Sequence, residues 1–428
     1  MTLTSLNFDG LIGPTHNYSG LSLGNLASLG NAGEPSHPRR AALQGLAKMR
    51  FVQGLGPRQG FLPPHARPNL EFLRALGFAG APEAICAAAW REDSALFANA
   101  CSASAVWTAN AATVSPAPDT GDGRTHLSIA NLSAMLHRSL EPPETLRRLR
   151  QIFADEARFA VHAPVPARLG DEGAANHMRL VGAGGGAGLE VFVYGLEGGG
   201  FPARQHRSAS EAIARRHGLA PERVFFAAQS REALAAGAFH NDVVAVAHGS
   251  VLLAHGQAFA EPKALYGWLS ARLPELQVLE VPDDEVSLED AIRSYLFNSQ
   301  LIRTVQGAVA LIAPTECRET ASVRSWLEAN VGRGGIDEVH FVDVRESMRN
   351  GGGPACLRLH MALPEADLAR IDGRFLLDEE RRFDLLEGLI ERHWPERISP
   401  GDLGDPELWR AAAAAQAELE ALLAGPVW

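Results

Sequence analysis

Residues 239–255 read Phe-His-Asn-Asp-Val-Val-Ala-Val-Ala-His-Gly-Ser-Val-Leu-Leu-Ala-His. Two short apolar runs, Val243–Ala247 and Val251–His255, flank His248-Gly249-Ser250. Runs of that length across a glycine turn read as a β-hairpin. The rest of the chain repeats the theme. Strand candidates lie at Leu189–Tyr194, Val224–Ala228, Val278–Val281, Ala308–Ile312, Val339–Val344 and Cys356–Met361. Several are continuously apolar, as in sheets covered by helices. Helical periodicity falls between them, at Pro38–Val52, Ser208–His217, Leu288–Ser299, Glu319–Asn330, Arg381–His393 and Leu408–Leu423. Pro38 suits a first helical turn. Ser208 with Glu211 has capping-box spacing. Single strands alternating with helices would predict a doubly wound sheet. Hairpins intervene here, which predicts a repeated α/β unit with mixed sheets.

Composition sets the outer limits. The chain has 428 residues, 46% of them hydrophobic and 21% charged, so it has ample material for a core. The net charge of −11 argues against non-specific binding to nucleic acid or anionic membranes. No basic region followed by an apolar run opens the chain, and no uncharged apolar stretch reaches membrane-spanning length. Four cysteines, Cys86, Cys101, Cys317 and Cys356, form no CxxC pair. Neither a zinc knuckle nor a disulfide scaffold is indicated, and a reducing cytoplasm is expected. Glycines cluster at 182–188, 195–200, 332–335 and 351–353, where tight turns or close approaches are expected. Ser115–Arg124 reads as a surface loop between two strands. No linker long enough to separate domains occurs.

Four constellations carry candidate chemistry. Asn350-Gly-Gly-Gly-Pro-Ala-Cys356 delivers a thiol to a strand start. The thiol is either a nucleophile or a buried cysteine beside a glycine turn. Cys317, in a loop after a strand, is its one rival. Cys86 and Cys101 lie among alanines and read as packing residues. His240 and Asp242, two apart, share a face if extension starts at His240. They suit acid–base work on a cation, or else a capped strand entrance. Gly170-Asp-Glu172-Gly-Ala-Ala-Asn-His177 offers a carboxylate that could orient a histidine. A metal held by Asp171 or Glu172 with His177 competes with a solvated loop, but the spacing matches no zinc-helix motif. Gly13–Asn25 is dense in Gly, Ser, Thr and Asn. It could wrap an anion through backbone N–H groups, or simply be an exposed turn-rich segment. Asn110, His137, Arg138 and Arg204 complete the set. Either arginine could clamp a carboxylate or form a surface ion pair.

Taken together, six segments closely resemble the N-succinylarginine dihydrolase family. They are Asn7–Tyr18, Ala109–Val114, Gly170–His177, Phe239–Val243, Tyr295–Gln300 and Asn350–Arg358. The resemblance spans nearly the whole chain. It implies a single catalytic domain over 1–428, a five-bladed α/β propeller (pentein) with pseudo-fivefold symmetry. It implies Cys356 as nucleophile, His240 as catalytic histidine, Glu172 as its acidic partner and Asp242 as the guanidinium-binding carboxylate. Around the substrate it places the loop Ser19, Gly20, Leu21, Ser22, Leu23, Gly24, Asn25, Leu26, Ala27 and Ser28, with Asn110, His137, Arg138, Arg204 and Asn350. Leu23 departs from the aromatic residue expected there, and the loop 196–202 is short. The implied reaction takes N2-succinyl-L-arginine and two waters to N2-succinyl-L-ornithine, two ammonia and carbon dioxide. Neither metal nor cofactor is called for. A homodimer is expected, with no nucleic-acid or membrane partner.

Overall fold

A computed structural model describes residues 3–196, 203–426 and 428. The glycine cluster at 195–200 and the loop 196–202 lie largely outside the described residues. Strand β1 (Leu3–Gly10) pairs in parallel with β2 (Arg58–Leu62) across helix α1 (Pro38–Leu55). The next unit holds β3 (Ala112–Ser115), β4 (Thr125–Ile129), α2 (Pro142–Ile152) and β5 (Phe159–His162). A third holds β6 (His177–Leu180), β7 (Leu189–Tyr194), α3 (Arg207–Arg216) and β8 (Val224–Ala228). A fourth holds β9 (Ala245–His248), β10 (Val251–His255), α4 (Pro262–Ser270) and β11 (Gln277–Val281). A fifth holds β12 (Gln300–Arg303), β13 (Val309–Pro314), α5 (Ala321–Asn330) and β14 (Glu338–Val342). Strand β15 (Arg358–Pro364) pairs antiparallel with β1 and completes the first unit.

Each of the five sheets therefore has the same plan: an antiparallel pair, a hairpin in all but the first, then a crossover helix to a third strand parallel to the pair's second. The middle strands are buried; all five residues of β10 are inaccessible to solvent or nearly so. Burying a leucine such as Leu252 or Leu253 is worth about 2–3 kcal/mol, which pins the register. The first strands of neighbouring units pack together, β6 on β9, β9 on β12 and β15 on β3, around a common axis. Period-two alternation divides their side chains. Leu359, Met361 and Leu363 of β15 enter the core, while Arg358, His360 and Ala362 face the axis. Helices α6 (Glu380–His393) and α7 (Pro406–Ala424) extend the core of the first unit.

Several boundaries differ from the sequence reading. The strand expected from Val243 begins at Ala245, because Asn241–Val243 makes a single 3-10 turn. The helix from Leu288 stops at Ser294, where Tyr295 turns left-handed at φ +57°. Thr320 is extended and splits the helix expected over Glu319–Asn330. No Ser208–Glu211 capping box forms: the helix starts at Arg207, and Glu211 accepts from Arg207 Nε at 2.9 Å instead. Among the described residues, no helix is long and apolar enough to cross a membrane.

Candidate active site

The turns that precede the five inner strands meet at one end of the axis, and asparagines tie them into a ring. Asn110 Nδ2, before β3, donates to the Glu172 carbonyl at 2.7 Å. Asn176 Oδ1, before β6, accepts from the Asn241 backbone N–H at 2.9 Å. Asn298 Nδ2, before β12, donates toward the Asp242 carbonyl at 3.3 Å and to Cys356 Sγ at 3.0 Å. Its Oδ1 accepts from the Cys356 backbone N–H at 3.2 Å. The Cys356 carbonyl closes the ring by accepting from the Ala109 N–H at 3.1 Å. The repeat thus brings chemistry from every unit to one point.

Cys356 lies in the turn before β15 rather than within a strand, and is buried. Its glycines have a steric reason. A Cβ on Gly352 would stand 2.2 Å from the Trp107 indole nitrogen, and one on Gly353 2.8 Å from Asn298 Oδ1. Gly351 has φ +110°. The Cys356 thiol sits 3.3 Å from Asp242 Oδ2. Burial and the neighbouring Asp242 carboxylate push that thiol well above its ordinary range. Burial also raises Asp242.

His240 is extended and reaches Glu172, with Nε2 to Oε2 at 2.9 Å. Burial alone would raise Glu172. Its hydrogen bond to His240 and the charges of His240, Arg204 and Arg138 outweigh that and hold it low. With Nε2–H on Glu172, His240 Nδ1 is left as the exchangeable position. Four buried polar atoms around this point have no partner among the described residues: His240 Nδ1, Glu172 Oε1, Asp242 Oδ1 and Arg138 Nη2. Orphans of this kind are rare in folded proteins, and their clustering marks a place for a polar ligand.

Arg204 and Arg138 are both buried, not surface ion-pair residues. Arg204 lies over the Phe239 ring at 4.5 Å and donates to the Leu23 carbonyl, with Ser22 Oγ at 3.4 Å. Arg138 lies over Trp107 at 5.5 Å, with Nε 3.2 Å from Glu141. Burial, Arg138 and Arg204 together push His137 down to about 3. The N-terminal segment is not an exposed lead-in: Gly13–Tyr18 is buried. Ser19, Gly20, Leu21, Ser22 and Ser28 close with His137 and Asn350 over a void of about 10 Å³, room for one water. Asn25 caps the short helix Leu26–Gly30 through Ser28 N and donates to the Gly351 carbonyl at 2.9 Å. Leu23 and Leu26, by contrast, turn their side chains to solvent, at 54% and 50% exposure. Gly24 is buried and Ala27 half-buried beside them.

The competing readings find other surroundings. His177 pairs with Glu190 rather than with Asp171 or Glu172. Cys317 is buried in an apolar cluster, its Sγ on the Ser294 carbonyl at 3.3 Å, and burial holds its thiol high. One group of three potential metal ligands occurs among the described residues, His126, His162 and His217. His162 bonds His126, which also bonds Asp122, and His217 bonds Ser115 and Ser128. Sequence reasoning quoted the segment around Asn298 but gave that residue no role. Its amide touches both Cys356 and Asp242, and asparagine beside a turn is too common a pattern to stand out.

Five ββαβ units closed around an axial polar site define the pentein class. The fold is shared with the N-terminal domain of an arginine dihydrolase of the cyanobacterial ornithine–ammonia cycle, at TM-score 0.53 and 16% identity. That likeness covers 85% of this chain and 99% of the other. Residues 2–427 match the succinylarginine dihydrolase family profile, AstB. An N-succinylarginine dihydrolase of Novosphingobium aromaticivorans is 57% identical over 430 residues, 99% of each chain. One of Rhizorhabdus wittichii is 55% identical over 99% of this chain and 100% of its own. One of Burkholderia pseudomallei is 49% identical over 99% and 98%. The chain belongs to the succinylarginine dihydrolase family.

Proposed function

We propose that the chain hydrolyses N2-succinyl-L-arginine to N2-succinyl-L-ornithine, two ammonia and carbon dioxide, and that residues 1–428 act as one catalytic unit. The observation that carries the residue roles is the cluster of unpartnered buried atoms beside Cys356. A guanidinium brings five N–H donors in a plane, and Asp242 Oδ1 and Glu172 Oε1 are free acceptors. Arg138, Arg204 and the loop 19–28 supply donors for the anionic succinyl and α-carboxylate groups.

The electrostatics support a thiolate made on demand. In the free protein the Asp242 carboxylate opposes ionisation of Cys356. A guanidinium seated on Asp242 offsets that charge and favours the thiolate. His240 Nδ1 takes up the thiol proton, the thiolate adds to the guanidinium carbon, and His240 returns that proton to the departing nitrogen. Ammonia leaves an amidino-thioether on Cys356. Water, deprotonated by His240, adds to that carbon; the C–S bond breaks and succinylcitrulline forms. A second cycle on the ureido carbon expels the second ammonia and leaves a thiocarbamate. Its hydrolysis gives a carbamate that loses carbon dioxide. Glu172 holds the imidazole in orientation and stabilises its protonated form.

The loop 19–28 occupies Arg204 donors that a carboxylate would take. It must withdraw to admit substrate and can then close over it. A homodimer and a cytoplasmic address are expected from the family; light scattering and cell fractionation test them. The test of the residue roles is Cys356→Ala. Its turnover should fall at least a thousandfold with succinylarginine still bound, and wild-type enzyme quenched during turnover should carry an adduct on Cys356. Turnover within tenfold of wild type would refute the covalent route.

A further inference from the structure

Behind the Cys356 site, a cavity of about 520 Å³ follows the axis past the inner strands. Asp242 and Ala355 line its inner end; Gly182–Gly185, Gly249 and Arg303, at the far ends of β6, β9 and β12, line its outer end. Its wall is cationic. Arg358 and His360 project into it from β15, His248 from β9 and Arg179 from β6. Arg179 is neutralised by Asp119.

Arg358 is not. It is 9% exposed, and its Nη1 is enclosed without a partner. The carboxylate nearest in register, Asp9, spends its oxygens on Lys48 and Gln59. Asp9 is thus the one carboxylate among the described residues acting on two buried cations, Arg358 and Lys48, and such an excess of buried positive charge is costly and calls for an anion. Two imidazoles stand with it, His248 and His360, with ring centroids 5.6 Å apart. Ser5 Oγ lies 3.0 Å from His360 Nε2. Burial, and after it the charges of Arg358, Arg303 and Arg179, push His248 down to about 3, so its imidazole is neutral here.

We propose that this axial cavity binds a small oxyanion, held by Arg358 and Arg303 with N–H or O–H donation from His248, His360 and Ser5. The cavity shares Asp242 with the reading above, but none of the groups proposed to hold the anion faces the substrate in that reading. Arg358 opens β15, two residues after Cys356 and next to the turn that carries the thiol.

The test is calorimetric titration of the full-length protein with inorganic phosphate, at ionic strength held constant with sodium chloride. Wild type should bind saturably near one equivalent. Arg358→Met should weaken binding at least tenfold, and Arg204→Met should leave it within twofold. No saturable binding to wild type would overturn the proposal. So would loss in Arg204→Met with retention in Arg358→Met, since phosphate would then occupy the substrate pocket. If Arg358→Met does not fold, Arg303→Ala decides. A threefold or greater loss supports the site, and unchanged affinity overturns it.

Discussion

Asp171, next to Glu172, offers a quantitative test of how burial sets charge in this site. Its carboxylate is buried, Oδ1 accepts from Gly173 N at 3.3 Å and Gln205 Nε2 at 3.2 Å, and Oδ2 has no partner. Burial therefore outweighs the two hydrogen bonds and lifts it from 3.8 to about 6. The folded state binds the proton more tightly than the unfolded chain. Stability from this group is full below the unfolded value near 3.8 and is lost as pH rises through about 6. A rise of roughly two units corresponds to about 3 kcal/mol. Asp171→Asn keeps the Oδ1 acceptor and cannot ionise. Its amide nitrogen has a fixed cost, so the informative quantity is a difference of differences. Urea midpoints should be measured for both proteins from pH 4 to pH 8. About 0.6 kcal/mol of the total is already lost at pH 4, so the stability of Asp171→Asn relative to wild type should rise by about 2.4 kcal/mol across that range, nearly all of it between pH 4 and pH 7. A change below about 0.5 kcal/mol would show that Asp171 ionises freely and that the site's interior is wetter than its burial implies.

Other outcomes follow from the same geometry. Asn298→Ala orphans the Cys356 N–H and removes a donor from the thiol; it should cost about 2–4 kcal/mol in urea denaturation and slow iodoacetamide labelling of Cys356 at fixed pH. Unchanged labelling would remove Asn298 from the site. Glu172 is held low, so its contribution is present at neutral pH and is lost as pH falls through its lowered range. Glu172→Gln should lower neutral stability by about 1–3 kcal/mol and lose less than wild type between pH 5 and pH 2. Parallel stability curves would contradict the pair. Labelling of native protein should map to Cys356 and be blocked by succinylarginine; labelling confined to Cys317 would assign the nucleophile wrongly.

What the sequence disclosed depended on the range of the interactions. The β9–β10 hairpin was legible because its register is fixed by the two-residue turn Gly249-Ser250 between two apolar runs. The β1–β15 pairing was not, since Leu3 meets Pro364 across almost the whole chain and no local pattern encodes it. The strand expected over Val243–Ala247 loses its first two residues: Asn241–Val243 makes a 3-10 turn, with Asn241 N–H bonded to Asn176 and the Asp242 carbonyl to Asn298. Cys356, His240 and Glu172 each had an ordinary structural reading taken singly and stood out only through the ordered set of motifs that resembles the family. Asn298 and Arg358 did not, although both sat inside quoted segments: a turn asparagine and a strand arginine carry meaning only when their partners, or lack of them, are visible. The buried arginines Arg138 and Arg204 could equally have been surface residues by composition.

The most direct test of the central claim is the stoichiometry of the reaction. Purified protein is given N2-succinyl-L-arginine to completion, with ammonia counted enzymatically and the organic product identified by mass. Two ammonia per substrate with succinylornithine and carbon dioxide is the predicted result. One ammonia per substrate with succinylcitrulline would show that the site performs a single hydrolysis, and the dihydrolase reading would fall.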